Sequence, residues 1–146
     1  MLYLGADHRG FGLKEKIKRY LKESLIPYED MGSFSLILDD DYPDIAFKVA
    51  KVVAKNPYED KGILFCGSGV GVDIAANKVR WIRAGLLFSK EQAKSATYDD
   101  AINIAAIPAD YLSQDETQEI VKIFLETKPS QEERYIRRIK KLKNIF

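Results

Sequence analysis

The segment Cys66-Gly67-Ser68-Gly69-Val70-Gly71 sets the chain's single thiol directly before a glycine-rich turn. A strand-like apolar run, Gly62 to Cys66, leads into it, and a helix-forming stretch, Val70 to Lys78, follows. The backbone N–H groups of such a turn can converge on an anion near the positive end of the helix. A thiol at that point is where a thiolate is favoured, so Cys66 can act as a base or a nucleophile near neutral pH. The plainer reading of a lone cysteine, a small buried hydrophobe, stands beside it. A dinucleotide fingerprint would need Gly or Ala at position 72, where Val72 stands, and the lysine of a P-loop is missing from its place. A small-phosphatase loop, which would need an arginine at 72, fails at the same valine.

Asp7 and His8 end the first apolar run, Leu2 to Ala6. In open α/β sheets, ligands bind outside the carboxyl ends of the strands. If the first and third strands are neighbours, Asp7, His8 and Cys66 share one rim and form a titratable cluster suited to acid/base work. The alternative for His8 is an exposed turn residue. Arg134 and Arg138 stand at i,i+4 near the end of the chain, hence on one helix face, where two guanidinium groups can grip a phosphate. With Arg137, Lys140, Lys141 and Lys143 around them, they read equally as a solvated basic face.

The elements that position these residues alternate between short apolar runs and longer helical patterns, the signature of βαβ units around a parallel sheet. Leu13, Ile17, Leu21 and Leu25 recur at helical spacing after the first strand. Pro27 to Gly32 holds a short second strand. The acidic run Asp39-Asp40-Asp41 precedes a helix that starts at Pro43 and carries Ile45, Val49 and Val52. Ile82 to Phe88 reads as the fourth strand, Ser89 to Tyr98 as a helix and Ile102 to Ile107 as the fifth strand. Ser113 and Glu116 form a capping box, opening a helix with Ile120, Val121 and Phe124 on its inner face. Thr127 to Ser130 breaks the chain before a last basic helix on which Ile136, Ile139 and Leu142 share a side.

The 146 residues fit one domain, 1–146, with 46% hydrophobic and 31% charged residues. Lys and Arg total 23 against 22 Asp and Glu, so no overall pull toward nucleic acid or an anionic membrane is expected. One cysteine and one histidine make a zinc site improbable, and no apolar run approaches bilayer length. A cytoplasmic protein without metal or cofactor is expected.

Gly5-Ala6-Asp7-His8-Arg9-Gly10, Asp41-Tyr42-Pro43-Asp44, Gly62 to Gly71 and Ile74-Ala75-Ala76-Asn77-Lys78 together resemble the ribose-5-phosphate isomerase B family, which includes the galactose-6-phosphate isomerase subunits. The resemblance implies a Rossmann-like three-layer sandwich with a five-stranded parallel sheet and an extra C-terminal helix. It also implies a homodimer or dimer of dimers whose sites are shared between subunits, and cofactor-free aldose–ketose isomerisation of a small phosphorylated sugar through a cis-enediolate. Cys66 would be the base, Ser68 and the amides around Gly67, Gly69 and Gly71 would stabilise the oxyanion, and Asp7 would shuttle a proton between substrate oxygens. His8 would contact the sugar phosphate, Tyr42 would line the pocket, Asn103 would bind substrate, and Arg134 and Arg138 would hold the phosphate across the subunit interface.

The match departs at a few places. Aligned on Asn103 and Pro108, Asp99 and Asp100 stand where relatives carry a His-Asn pair, so Asp99 takes the ring-opening position. Asp110 stands where a phosphate-facing arginine is common, and Tyr135 where a histidine often follows. All of these departures are expected on the half-site lent by the second subunit, and a carboxylate at 110 should repel a phosphate. Ribose 5-phosphate is the default substrate. The alternatives are another sugar phosphate, such as a hexose phosphate, and a non-catalytic or partner-dependent sugar-phosphate-binding subunit.

Overall fold

Short apolar runs bounded by helices condense here into one parallel sheet. The computed structural model describes residues 1–143, so the last three positions of the expected domain lie outside the described residues. The order is β1 (Leu2–Ala6), α1 (Phe11–Glu23), β2 (Tyr28–Asp30), α2 (Tyr42–Val53), β3 (Lys61–Cys66), α3 (Val70–Ala76), β4 (Ala84–Leu86), α4 (Lys90–Asp100), β5 (Ile104–Pro108), α5 (Gln114–Glu126) and α6 (Glu133–Lys143). Five strands pair in the order β2-β1-β3-β5-β4, every pair parallel. The chain runs outward from β1 to β2, then crosses to β3 on the other side of β1, which puts a topological switch point between β1 and β3.

Alternation along the strands assigns the two faces. Ile63 and Phe65 pack with Ile17 and Leu21 of α1, Ala93 of α4 and Ile120, Val121 and Phe124 of α5. Leu64 and Cys66 face the opposite layer, against Val49 and Val53 of α2 and Val72 and Ala76 of α3. The expected three-layer sandwich is thus formed, with α6 outside it: none of the α6 residues is buried.

Several boundaries differ from the sequence reading, for local reasons. Leu25 does not continue the α1 stripe. The helix ends at Glu23, Leu25 turns to φ +57 and is left exposed, and Ile26 packs on the core instead. β4 is only Ala84–Leu86, because the Ile82 N–H closes a turn onto Val79 O at 3.2 Å. α3 stops at Ala76, two residues short, while α4 runs on to Asp100. Lys14, one of the lysines of a polar-looking helix, is fully buried: its Nζ donates to Asp30 Oδ1 at 2.7 Å and to Ser33 O at 2.5 Å, tying α1 to the loop after β2. The Ser113–Glu116 capping box is present in both directions.

The β1–α1 turn sits hard against β3. A Cβ at Gly10 would overlap the Phe65 carbonyl group, which is backbone and cannot swing aside, whereas a Cβ at Gly12 meets nothing within 4 Å. Gly10→Ala should therefore destabilise the fold by about 3 kcal/mol, the upper end for forcing a methyl into packed structure. Gly12→Ala should stabilise it by up to ~1 kcal/mol through helix propensity. Urea unfolding of the two variants checks both signs.

Candidate active site

β1 and β3 are neighbours, with Ala6 opposite Phe65, so Asp7 and Cys66 leave the sheet side by side. Cys66 Sγ donates to Asp7 Oδ2 at 3.1 Å, and both residues are buried. The other carboxylate oxygen, Oδ1, accepts from the N–H groups of Arg9 at 3.0 Å and Gly10 at 2.9 Å. One carboxylate thus ties the tight turn to the thiol.

This pairing overturns the expectation of a favoured thiolate. Burial pushes the Cys66 thiol up to about 11, and the hydrogen bond to Asp7 and its negative charge push the same way. The amides of Gly69 and Gly67 pull it down by less. The sulfur therefore holds its proton at neutral pH, and that proton points at a carboxylate.

The glycine loop is shaped by close approaches. Gly69 is the residue before α3, at φ +76, and a Cβ there would meet the Leu86 side chain and the backbone around Ile107 and Pro108. Gly71 lets the Tyr42 ring lie against the start of α3. Ser68 Oγ accepts from Val70 N at 3.3 Å, leaving its hydroxyl hydrogen for another acceptor.

His8 is at the same rim, held by Asp40: the Nδ1 to Oδ1 distance is 2.7 Å, and the same oxygen accepts from His8 N at 3.1 Å. The acidic run of residues 39–41 signalled a loop, and nothing local in it marked Asp40 as the histidine's partner. Arg9 was also not among the expected site residues. Its guanidinium lies on the backbone of Gly67, and its Nη2 donates to Asp110 Oδ2. Asp110 corrects a second expectation. It follows β5 at the Cys66 end, with its N–H on Gly67 O at 3.0 Å, so it belongs to this chain's own half of the site rather than to a lent half. Nor is it an unpaired carboxylate, since Arg9 neutralises it.

Asp99, Asn103, Arg134 and Arg138 are not brought to Cys66 within one chain. Pro108 is opposite Cys66, so Asn103, five residues earlier, is about 16 Å away along the strand at roughly 3.3 Å per residue. Asn103 is buried with its amide fully engaged. Nδ2 donates to Pro57 O at 3.1 Å and Trp81 O at 2.9 Å, and Oδ1 accepts from Arg83 N at 2.9 Å. Against the expectation of substrate binding, it fastens the loops that enter β3, β4 and β5. Asp99 stands in the last turn of α4 at that far end. Arg134 and Arg138 lie 4.8 and 5.6 Å from the Tyr135 ring, which packs edge-on against Tyr98 of α4 at 5.8 Å.

The chain matches the family described as Ribose/Galactose Isomerase over residues 2–142. It is 40% identical over 124 residues to the probable ribose-5-phosphate isomerase B of Mycoplasma genitalium, covering 85% of this chain and 82% of that protein. Ribose-5-phosphate isomerase B of Mycobacterium leprae is 38% identical over 138 residues, 94% of this chain and 85% of the relative. Among solved structures, the Mycoplasma genitalium isomerase B with bound ribulose-5-phosphate superposes with a TM-score of 0.94 at 38% identity, over 98% of this chain and 93% of that one. The Trypanosoma brucei type B isomerase does so at 0.91 and 39%, over 99% and 97%.

The thiol–carboxylate pair fixes a pH response. The folded thiol keeps its proton up to about pH 11, whereas an unperturbed thiol releases it near 9, so between those values the folded state binds the extra proton. Its contribution to stability is full below pH 9 and is lost as pH rises toward 11. The pH dependence of iodoacetamide alkylation should show a midpoint near 11 for Cys66. In Asp7→Asn, whose Oδ1 can still cap the turn, that midpoint should fall toward the ordinary thiol value.

Proposed function

The chain belongs to the ribose/galactose isomerase family, and from that premise we propose that it interconverts an aldose phosphate and its ketose through a cis-enediolate, with ribose 5-phosphate and ribulose 5-phosphate as the default pair. The observation that carries this reading is the 3.1 Å contact between Cys66 Sγ and Asp7 Oδ2. Isomerisation needs one group to move a proton between C2 and C1 and another to move one between O1 and O2. A thiol and a carboxylate sharing one proton supply both. Passage of the sulfur's proton to Asp7 leaves a thiolate to take the C2 proton, while protonated Asp7 donates to O1. Asp7 then recovers the O2 proton, the thiol delivers its own to C1, and the proton on Asp7 passes back to the sulfur, so the pair returns to its starting state. The amides of Gly67, Gly69 and Gly71 and the Ser68 hydroxyl face the charge that develops on the substrate oxygen. His8, oriented by Asp40, and Tyr42 border the same pocket.

Asp99, Arg134 and Arg138 enter this scheme from a second copy. Asp99 lies in the last turn of α4 and the two arginines on the basic helix α6, which buries no residue; all three are at the end of the sheet remote from Cys66, so one chain by itself holds two incomplete halves. A dimer that places the α6 end of one copy over the Cys66 rim of the other completes two sites. Asp99 then takes the ring-opening place, and the two arginines take the phosphate. The carboxylate at 99 also favours a second reading, a sugar-phosphate-binding subunit that depends on a different chain for ring opening.

In D₂O with ribose 5-phosphate, NMR should show deuterium entering C2 of the aldose together with ketose formation. Cys66→Ala should lose roughly 10²–10⁴-fold of this rate, the usual contribution of a positioned general base. Absence of exchange in the wild-type chain would favour the binding-subunit reading. The shared site has its own test: Cys66→Ala and Arg138→Gln chains, each inactive alone, should regain activity when mixed. Random reassortment makes half of the dimers mixed, each with one intact site of two, so roughly a quarter of the wild-type rate should return.

A further inference from the structure

Arg9 immediately follows His8, and three features fix where its side chain goes. Asp7 Oδ1 accepts from the Arg9 N–H at 3.0 Å and sets the turn. Gly67 has no side chain, and a Cβ there would clash with Cζ and Nε of Arg9, so the guanidinium rests on the glycine loop. Asp110, whose own N–H is bonded to Gly67 O, accepts from Nη2. Among the described residues Asp110 is the guanidinium's one hydrogen-bond acceptor, and a guanidinium carries five N–H donors. The Arg9 side chain is 52% exposed and that of Asp110 38%, so the pair is open to solvent beside the glycine loop. The Asp110 hydrogen bond and charge raise Arg9 above its ordinary value, and the charges of Cys66 and Asp7 act on it in the same direction. It is therefore within electrostatic reach of the reacting groups.

An exposed arginine–carboxylate pair of this kind contributes little by itself, because solvent screens it and ordering both side chains costs entropy. A phosphate dianion offers the same fork geometry with more charge and can take the guanidinium from Asp110. From this geometry we infer that Arg9 is a substrate-binding residue of this chain's own half-site, taking the phosphate of the substrate, and that Asp110 holds it in place until the phosphate arrives. The inference rests on the sugar-phosphate reading of the site. It gives each half-site a guanidinium of its own for the phosphate, alongside His8 and beside the arginines expected from a second copy. The rival account makes the pair a plain latch between the β1–α1 turn and the loop after β5.

The two accounts differ in sign at Asp110. Calorimetric titration with ribitol 5-phosphate, which has no carbonyl and cannot be isomerised, reads the contact without depending on turnover. Arg9→Gln should weaken binding at least tenfold, with Arg9→Lys in between, while Asp110→Asn should tighten it several-fold because a competing anion is gone. Arg9→Gln within twofold of wild type, both variants weakening binding alike, or no binding by the wild-type chain would overturn the inference. The isomerase reading fails separately. Deuterium exchange with unchanged Arg9→Gln affinity removes only the role of Arg9, whereas Arg9-dependent binding without exchange removes only the isomerase.

Discussion

A buried carboxylate must find donors for its oxygens, and Asp7 finds them in three places at once. The N–H groups of Arg9 and Gly10 take Oδ1 and the thiol of Cys66 takes Oδ2, so one side chain closes the β1–α1 turn and reaches across to the end of β3. Burying such a group unpaired would be strongly unfavourable. That requirement sets how the turn is built and which way the sulfur points. It also bears on the resting protonation of the site, because burial first, and then a carboxylate at hydrogen-bond distance, keep a proton on the sulfur. The same contact that stabilises the turn thus stores the proton that the proposed chemistry uses.

Close backbone approach is the second condition, and it explains the glycines at this rim. The turn can sit beside β3 only because Gly10 leaves room for the Phe65 carbonyl. The loop after Cys66 can lie under Arg9 only because residue 67 has no side chain, and Gly69 adopts a left-handed conformation against the Ile107–Pro108 backbone. The Cys66 rim is therefore a place where three strand ends are drawn together at distances that only glycine permits.

Charge is arranged differently at the two ends of the sheet. At the Cys66 end, carboxylates are paired across elements: Asp40 with His8, Asp110 with Arg9, and Asp30 with the buried Lys14. At the far end, α6 presents arginines and lysines on a helix that buries none of its residues. One end holds a thiol, a carboxylate and a glycine-rich loop, and the other holds exposed cations. A site assembled from both is the physical sense of the proposed dimer.

The sequence by itself determined the alternation of strands and helices, the capped start of α5, and the thiol before a glycine turn, because each is local: hydrophobic period, capping chemistry and turn residues are properties of a few adjacent positions. The family motifs lie in the same short segments. Boundaries such as Leu25 and the short β4 were less legible, since turn geometry overrode periodicity there. Only the tertiary structure decided which partners meet. Cys66 and Asp7 are 59 residues apart, His8 and Asp40 are 32 apart, and Arg9 and Asp110 are 101 apart. It placed Asp110 with Cys66 and Asp99 and Asn103 away from it, because strand order and direction, not spacing along the chain, determine which ends share a rim. It also raised a thiol that local sequence made look reactive, since burial and a neighbouring carboxylate are consequences of packing that no single segment contains.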